Sequence, residues 1–360
     1  MKDNWRLIVL PDLPPLDTQT IYHAIAKVKS KLNSPNTLIL TWPKKPYVSI
    51  GIHQVRDLVV DIDKITEMSI PLIRRITGGG AVYLDQNQLF YQLVFDKNSY
   101  PFSVKELFEH FLQPVVSTYR YLGIPAKYQP LNDIVALNKK ISGNGASAIE
   151  SSTVLVGNFI LDFPVKEMSR ILEVPDEKFR DKIAKTLEER IGSIKYFLGY
   201  IPDKLDMIYN FKKEFEDILG INLEIGPLTE LEKNEMQKLN QYCQTGEWMN
   251  YVERRHKDLI SLKIKSGVRC FFKEVKTKGG LLSLYFQIEN NKIVDIAITG
   301  DFFTKNPFNL SELEEALVGT ELSHTLVKQK IESFYKIEEN KIESLRAEEL
   351  TKIILESVKE

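Results

Sequence analysis

Two arginines and three consecutive glycines stand together in Arg74-Arg75-Ile76-Thr77-Gly78-Gly79-Gly80-Ala81-Val82-Tyr83. Each glycine costs up to about 1 kcal/mol against alanine inside a regular element, so a run of them points to a sharply bent backbone or to a ligand that approaches it closely. Successive backbone N–H groups in such a bend can cradle an anion, and the preceding guanidinium groups offer a planar fork for carboxylate or phosphate. A plain hairpin tip between two strands would use the same glycines.

A second group lies at Asn132-Asp133-Ile134 and Lys139-Lys140-Ile141-Ser142-Gly143-Asn144-Gly145. Successive strand residues face opposite sides, so one of Lys139 and Lys140 enters a site while the other is solvated. Ser142, Gly143 and Asn144 are small enough to let a substrate lie against the backbone. The strand is expected to end in a turn at these glycines. Gly143-x-Gly145-x-x-Ala148 also fits the glycine pattern of a dinucleotide site, but only about four residues separate it from the apolar run Thr153–Phe163. That is too short for the helix the pattern requires.

Other chemistries are poorly supplied. His23, His53, His110, His256 and His324 are scattered, with no pair at metal-ligand spacing. Cys243 and Cys270 are the two cysteines, both in the second half and not in a CxxC pair, which fits a reducing, cytoplasmic setting and no disulfide framework. There are 48 basic and 49 acidic residues. With no strong field to hold a polyanion or an acidic membrane, neither a nucleic acid nor a membrane is an expected partner. No apolar run is long enough to span a bilayer.

The elements that must position these residues differ along the chain. Residues 1–165 hold 17 basic and 14 acidic side chains, a net of +3, which leaves 31 and 35, a net of −4, for the remainder. The first part reads as α+β, with strands at Thr37–Trp42, Tyr47–Ile50, Ile70–Arg75, Ala81–Tyr83 and Leu89–Phe95 and helices at Thr18–Lys31 and Ser103–Leu122. Ser103-Val-Lys-Glu106 is a capping box. From Val165 to about Gln244 the pattern is charged and helical, with openings at Pro175, Pro202 and Pro227. A small α+β domain follows, with strands at Leu259–Lys263, Leu281–Ile288 and Lys292–Thr299, a turn at Glu289-Asn290-Asn291, and helices beginning near Asn309 and Glu321. The tail Lys336–Glu360 reads as a charged helix. The expected division is 1–245, 246–335 and 336–360.

Taken in order, Arg74-Arg75-x-x-Gly78-Gly79-Gly80-Ala81-Val82, then Asn132-Asp133, then Lys140-Ile141-Ser142-Gly143, resembles the lipoate-protein ligase A family of the biotin/lipoate ligase superfamily. Gly280–Ile288 and Ile293–Asp301 are similar to that family's small-domain hairpin. The resemblance implies a catalytic domain with a mixed sheet flanked by helices, plus a small α+β accessory domain. It also implies a two-step reaction in which lipoate or octanoate condenses with ATP to an acyl-adenylate, and the acyl group then passes to a lysine of a lipoyl-domain carrier. That carrier would be the E2 of a 2-oxoacid dehydrogenase or a glycine-cleavage H-type protein. Lys140 is then the catalytic lysine. Arg75, Gly78, Gly79, Gly80, Ala81, Tyr83, Asn132, Asp133, Ser142, Gly143 and Asn144 would line the acyl and ATP site, with Asp133 a partner for Mg²⁺. The enzyme is expected to be a monomer.

Two family histidine signatures are absent, the corresponding positions reading Leu84-Asp85 and Leu155-Val156-Gly157-Asn158. Octanoyl or lipoyl transferases of the same fold need a thiolate nucleophile, which here would have to be Cys243 or Cys270. A biotin ligase, a third relative by fold, would carry a Gly-Arg-Gly-Arg type loop that Arg74–Ala81 does not reproduce, and a non-catalytic carrier-binding protein is a further alternative.

Overall fold

The structure, a computed structural model of the 360-residue chain, describes residues 3–32, 34–174, 178–255 and 269–358. The described residues form two compact units. The first is Met1–Ser49, Val60–Ile73 and Ala81–Cys243, and the second is Ile50–Val59, Arg74–Gly80 and Gln244–Glu360. The lysine motif therefore belongs to the first unit and the triple glycine to the second.

The strands, in chain order, are β1 (Asp3–Leu13), β2 (Thr37–Pro43), β3 (Tyr47–Ile50), β4 (Leu72–Arg74), β5 (Val82–Leu84), β6 (Gln88–Asp96), β7 (Lys127–Gln129), β8 (Asp133–Ala136), β9 (Lys139–Ile149), β10 (Ser152–Ile160), β11 (Ile221–Ile225), β12 (Arg269–Thr277), β13 (Gly280–Glu289) and β14 (Lys292–Gly300). The first unit is built on an eight-stranded mixed sheet in the order β11-β1-β2-β6-β10-β9-β8-β7. The pairs β11–β1 and β1–β2 are parallel, and the rest are antiparallel. Both faces are covered, which is why β2 and β6 are buried almost continuously rather than on alternate residues. Leu38, Leu40, Tyr91, Leu93 and Phe159 share one core with Phe108, Val115, Phe211 and Phe215 from the helices Val104–Phe111, Gln113–Tyr121 and Lys204–Leu219. The helix Pro15–Lys31 packs against the same sheet and against the helix Glu230–Cys243.

Several expected elements are present with shifted limits. The capping box at Ser103 is formed, the Ser103 amide donating to Glu106 Oε2 at 2.8 Å and its hydroxyl accepting from the Glu106 amide at 3.3 Å. The single helix expected over Ser103–Leu122 is instead two, broken at Leu112, because Pro114 has no N–H and its ring displaces the carbonyl of the preceding turn. The stretch read as purely helical contains β11, whose Ile-Asn-Leu-Glu-Ile alternation sits between Gly220, a left-handed helix cap at φ 67°, and Gly226. The turn expected at Gly143–Gly145 is not there. β9 runs through these glycines to Ile149, and the chain reverses at Glu150, where φ is 53°. A second strand, β10, follows directly, so no helix completes the dinucleotide pattern.

In the second unit β12, β13 and β14 form an antiparallel meander. Asn290 and Asn291 both have positive φ, as the tight turn between β13 and β14 demands. Leu282, Leu284, Phe286 and Ile288 alternate onto one face and are buried by the helices Leu310–Leu317, His324–Tyr335 and Ala347–Glu356. The strand expected at Leu259–Lys263 and the helix opening at Pro175 lie outside the described residues. The tail is not one long helix: Glu338–Asn340 is a 3₁₀ turn, and Ala347–Glu356 places Leu350 and Ile354 in the unit's core.

Candidate active site

In the first unit, Asp133 opens β8 and Lys140 lies near the start of β9. Val135 pairs with Lys140 and Ile134 with Ser142, so Ile141 is an extra residue bulged out of the ladder. A bulge bends the strand and re-aims its side chains, a common device beside functional sites. Ile141 is fully buried, its carbonyl accepting from the Tyr119 hydroxyl. The Lys140 Nζ lies 2.6 Å from Asp133 Oδ1, with both side chains about one-third exposed. Gly192 donates its amide to the Lys140 carbonyl at 2.8 Å, fixing the backbone under that lysine. Lys139 points elsewhere. Its ammonium donates to the carbonyls of Glu188 and Glu189 and sits over the Tyr196 ring at 4.9 Å.

Below the ion pair runs a buried hydrogen-bond network. The Tyr91 hydroxyl, from β6, reaches Ser142 Oγ at 2.9 Å and donates to Asn144 Oδ1. Asn144 and Asn132 are tied reciprocally, each amide donating to the other's backbone carbonyl. Asn158 Oδ1 accepts from the Gly143 amide at 2.9 Å, and its Nδ2 donates to Gln88. Burial pushes the Tyr91 phenol well above its ordinary range, so it remains a neutral donor. Gly157 makes room for this arrangement: a Cβ there would lie 2.1 Å from Asn144 Oδ1 and 2.5 Å from the Tyr91 ring. The sequence reading singled out Asn132, Asp133, Lys140, Ser142, Gly143 and Asn144, and these are brought together. It missed Tyr91 and Gln88 and gave Asn158 no role. Their only signal, polar residues inside apolar strands, appears once β6, β10 and β9 are known to be neighbours.

Ala81 and Tyr83 also belong to the first unit. Tyr83 is buried on β5, its amide meets Met168 Sδ at 3.3 Å, and desolvation pushes its phenol up to about 12.

In the second unit the two arginines divide their work. Arg74 is fully buried and donates to the carbonyls of Gly51, Ile52, Gln54 and Met249, with an ion pair to Glu253 at 3.1 Å. It is a clamp on the protein, not the ligand fork expected of it. Arg75 Nη2 donates to the carbonyls of Gly78 and Gly80, both at 2.9 Å, which closes the glycine segment around one guanidinium. Gly79 has φ 94°, and a Cβ on Gly78 would sit 2.2 Å from the Phe302 carbonyl oxygen. The glycines thus serve both a left-handed backbone and a close backbone approach.

Burial pushes the Cys243 thiol up to about 12, leaving negligible thiolate at neutral pH. Among the described residues no three His, Cys, Asp or Glu side chains gather as a metal cluster, and no helix is long and apolar enough to cross a membrane.

Residues 15–216, more than half of the chain, match the lipoyl protein ligase A/B catalytic domain. The chain belongs to that family. Residues 271–354 match the bacterial lipoate protein ligase C-terminus, which takes the likeness through most of the last helix. Among curated relatives, lipoate-protein ligase 1 of Staphylococcus aureus is 29% identical over 295 residues, spanning 81% of this chain and 83% of that one. The octanoyltransferase LipM of Oceanobacillus iheyensis is 25% identical, spanning 72% and 99% respectively. Among solved structures, the bipartite lipoate protein ligase of Thermoplasma acidophilum, described with its E2 lipoyl domain, superposes with a TM-score of 0.62 at 28% identity and covers 68% of this chain and 95% of that one.

Proposed function

We propose that this protein is an ATP-dependent lipoate-protein ligase. The lipoate or octanoate carboxylate attacks the α-phosphorus of ATP and releases pyrophosphate, and the amine of an acceptor lysine then attacks the acyl carbonyl and releases AMP. The observation that carries this reading is the Lys140–Asp133 pair seated on the Tyr91, Ser142, Asn144 and Asn132 network, inside the segment matching the family's catalytic domain. Both steps build negative charge on oxygen, and a fixed ammonium with oriented backbone N–H groups stabilises such charge without reorganising. Asp133, 2.6 Å away, aims the Lys140 ammonium. No protein nucleophile is required.

Mg²⁺ is held in nucleotide sites by one or two carboxylates beside substrate phosphates and water, so a single acidic side chain suffices. Asp133 would hold it, and the ion would offset the charge of the departing pyrophosphate. Arg75 and Gly78–Gly80 shape the acyl wall, with Ala81 and Tyr83 following. The acceptor is a lipoyl-domain protein, either a 2-oxoacid dehydrogenase E2 or an H-type protein, and the enzyme acts as a cytoplasmic monomer.

The transferase reading needs a thiolate, and the buried, high-pKa thiol of Cys243 argues against that residue as its nucleophile, while Cys270 lies on β12 in the second unit, not in the unit that holds Lys140. The test is ATP–pyrophosphate exchange driven by lipoate. Lys140→Ala loses roughly a hundredfold or more of the wild-type rate, while Lys139→Ala retains most of it. Equal rates in all three proteins would remove Lys140 from the mechanism.

A further inference from the structure

Within the second unit, the glycine segment rests on the residues that follow β14. The Phe303 ring comes within 3.3 Å of a Cβ position on Gly78 and 3.5 Å of one on Gly79, and the Asp301 carboxylate is 3.8 Å from that of Gly80. Phe302 and Phe303 are both buried, and the arrangement beneath them is built rather than incidental. The His53 ring stacks on Phe302 at 4.8 Å between centroids and 17° between planes, and His53 Nε2 is 3.3 Å from Thr304 Oγ1. The His53 carbonyl accepts from the Gly300 amide at 3.1 Å, and Ile52 donates to the Thr77 carbonyl at 3.2 Å. Asp301 Oδ1 accepts from the Leu281 amide, which ties the bed back into the sheet.

Three glycines in sequence have no side chains of their own to fix a single conformation. Left to themselves they would populate many, at a large entropic cost when a ligand selects one. Arg75 restrains their carbonyls from one side. We propose that Phe303, buried and next in the chain to the stacked Phe302, is a positioning residue that restrains them from the other and so pre-forms the acyl-binding wall. This rests on the ligase reading for its substrate, but the restraint itself is a property of the chain alone. Phe303 acts through the loop it touches, so it governs how readily the acyl acid is accepted rather than the chemical step.

Two measurements on the full chain test this. In Phe303→Ala, and more weakly in Phe303→Leu, the amides of Gly78–Gly80 exchange with deuterium at least about tenfold faster, while those of β13 are unchanged. In the exchange assay, KM for lipoate rises about tenfold and kcat falls by less than about threefold. A conserved KM in a folded variant overturns the substrate part of the proposal. Unchanged amide exchange overturns the restraint itself, even if the wild-type protein turns over no acyl acid at all. Should Phe303→Ala fail to fold, Phe303→Leu carries both readouts.

Discussion

The residues closest to the proposed chemistry are of two kinds, one legible from motif and one visible only after folding. Lys140 and Asp133 carry the charge, and the strand that holds Lys140 is anchored by Tyr91, a phenol buried in the sheet that serves Ser142 and Asn144 at once. Tyr91→Phe leaves Asn144 Oδ1 buried without that donor, which costs about 1–3 kcal/mol. Its expected outcome is a lower unfolding midpoint together with a loss of exchange activity larger than the stability change explains. Activity equal to wild type would mean that the network is scaffolding only. Arg74 teaches the opposite lesson: it sits in the motif yet is consumed by five protein partners, because a buried guanidinium must find all its acceptors inside.

At the scale of elements, local chemistry read well where it was self-contained. The capping box at Ser103, the Asp203 cap on Lys204–Leu219 and the paired asparagines before β14 all stand where their residue types put them. Elements whose existence depends on distant partners did not read. β11 is five residues long and is a strand because β1 supplies its ladder, and the glycines of β9 stay extended because β10 and β8 hold both edges. Gly157 shows how tight that pairing is. Gly157→Ala places its methyl inside Asn144 and Tyr91, so a drop in the melting midpoint with loss of exchange activity is expected. A fully active, equally stable variant would contradict the close approach.

The packing of the helix Pro15–Lys31 against Glu230–Cys243 carries a pH signature. Burial, helped by Lys27, lowers the His23 pKa from 6.5 to about 4. The folded state therefore binds fewer protons than the unfolded chain. This contribution is complete above pH 6.5 and is lost as pH falls towards 4, an effect of about 3 kcal/mol. Denaturation at pH 7.5 and 4.5 should show a smaller acid loss in His23→Gln than in wild type; equal losses would mean that His23 is solvated when folded.

At the scale of the whole molecule, the two units divide the motif: the ion pair and its network lie in the first, the glycine segment in the second. That division could not be read along the chain, where the two motifs are separated by only about fifty residues and look like parts of one domain. The even balance of charge excludes binding by a general electrostatic field, so recognition must rest on specific surfaces, as an enzyme of protein acceptors requires. Of the two cysteines, uninformative as a disulfide framework, Cys243 is disfavoured as a transferase nucleophile by its buried thiol. The central claim is ATP-dependent acyl transfer, and the most direct measurement is the intact mass of a lipoyl-domain acceptor after incubation with the protein, lipoate and Mg²⁺, with and without ATP. The account predicts a lipoyl mass gain only when ATP is present. A mass gain without ATP, or none under either condition with folded protein, would contradict it.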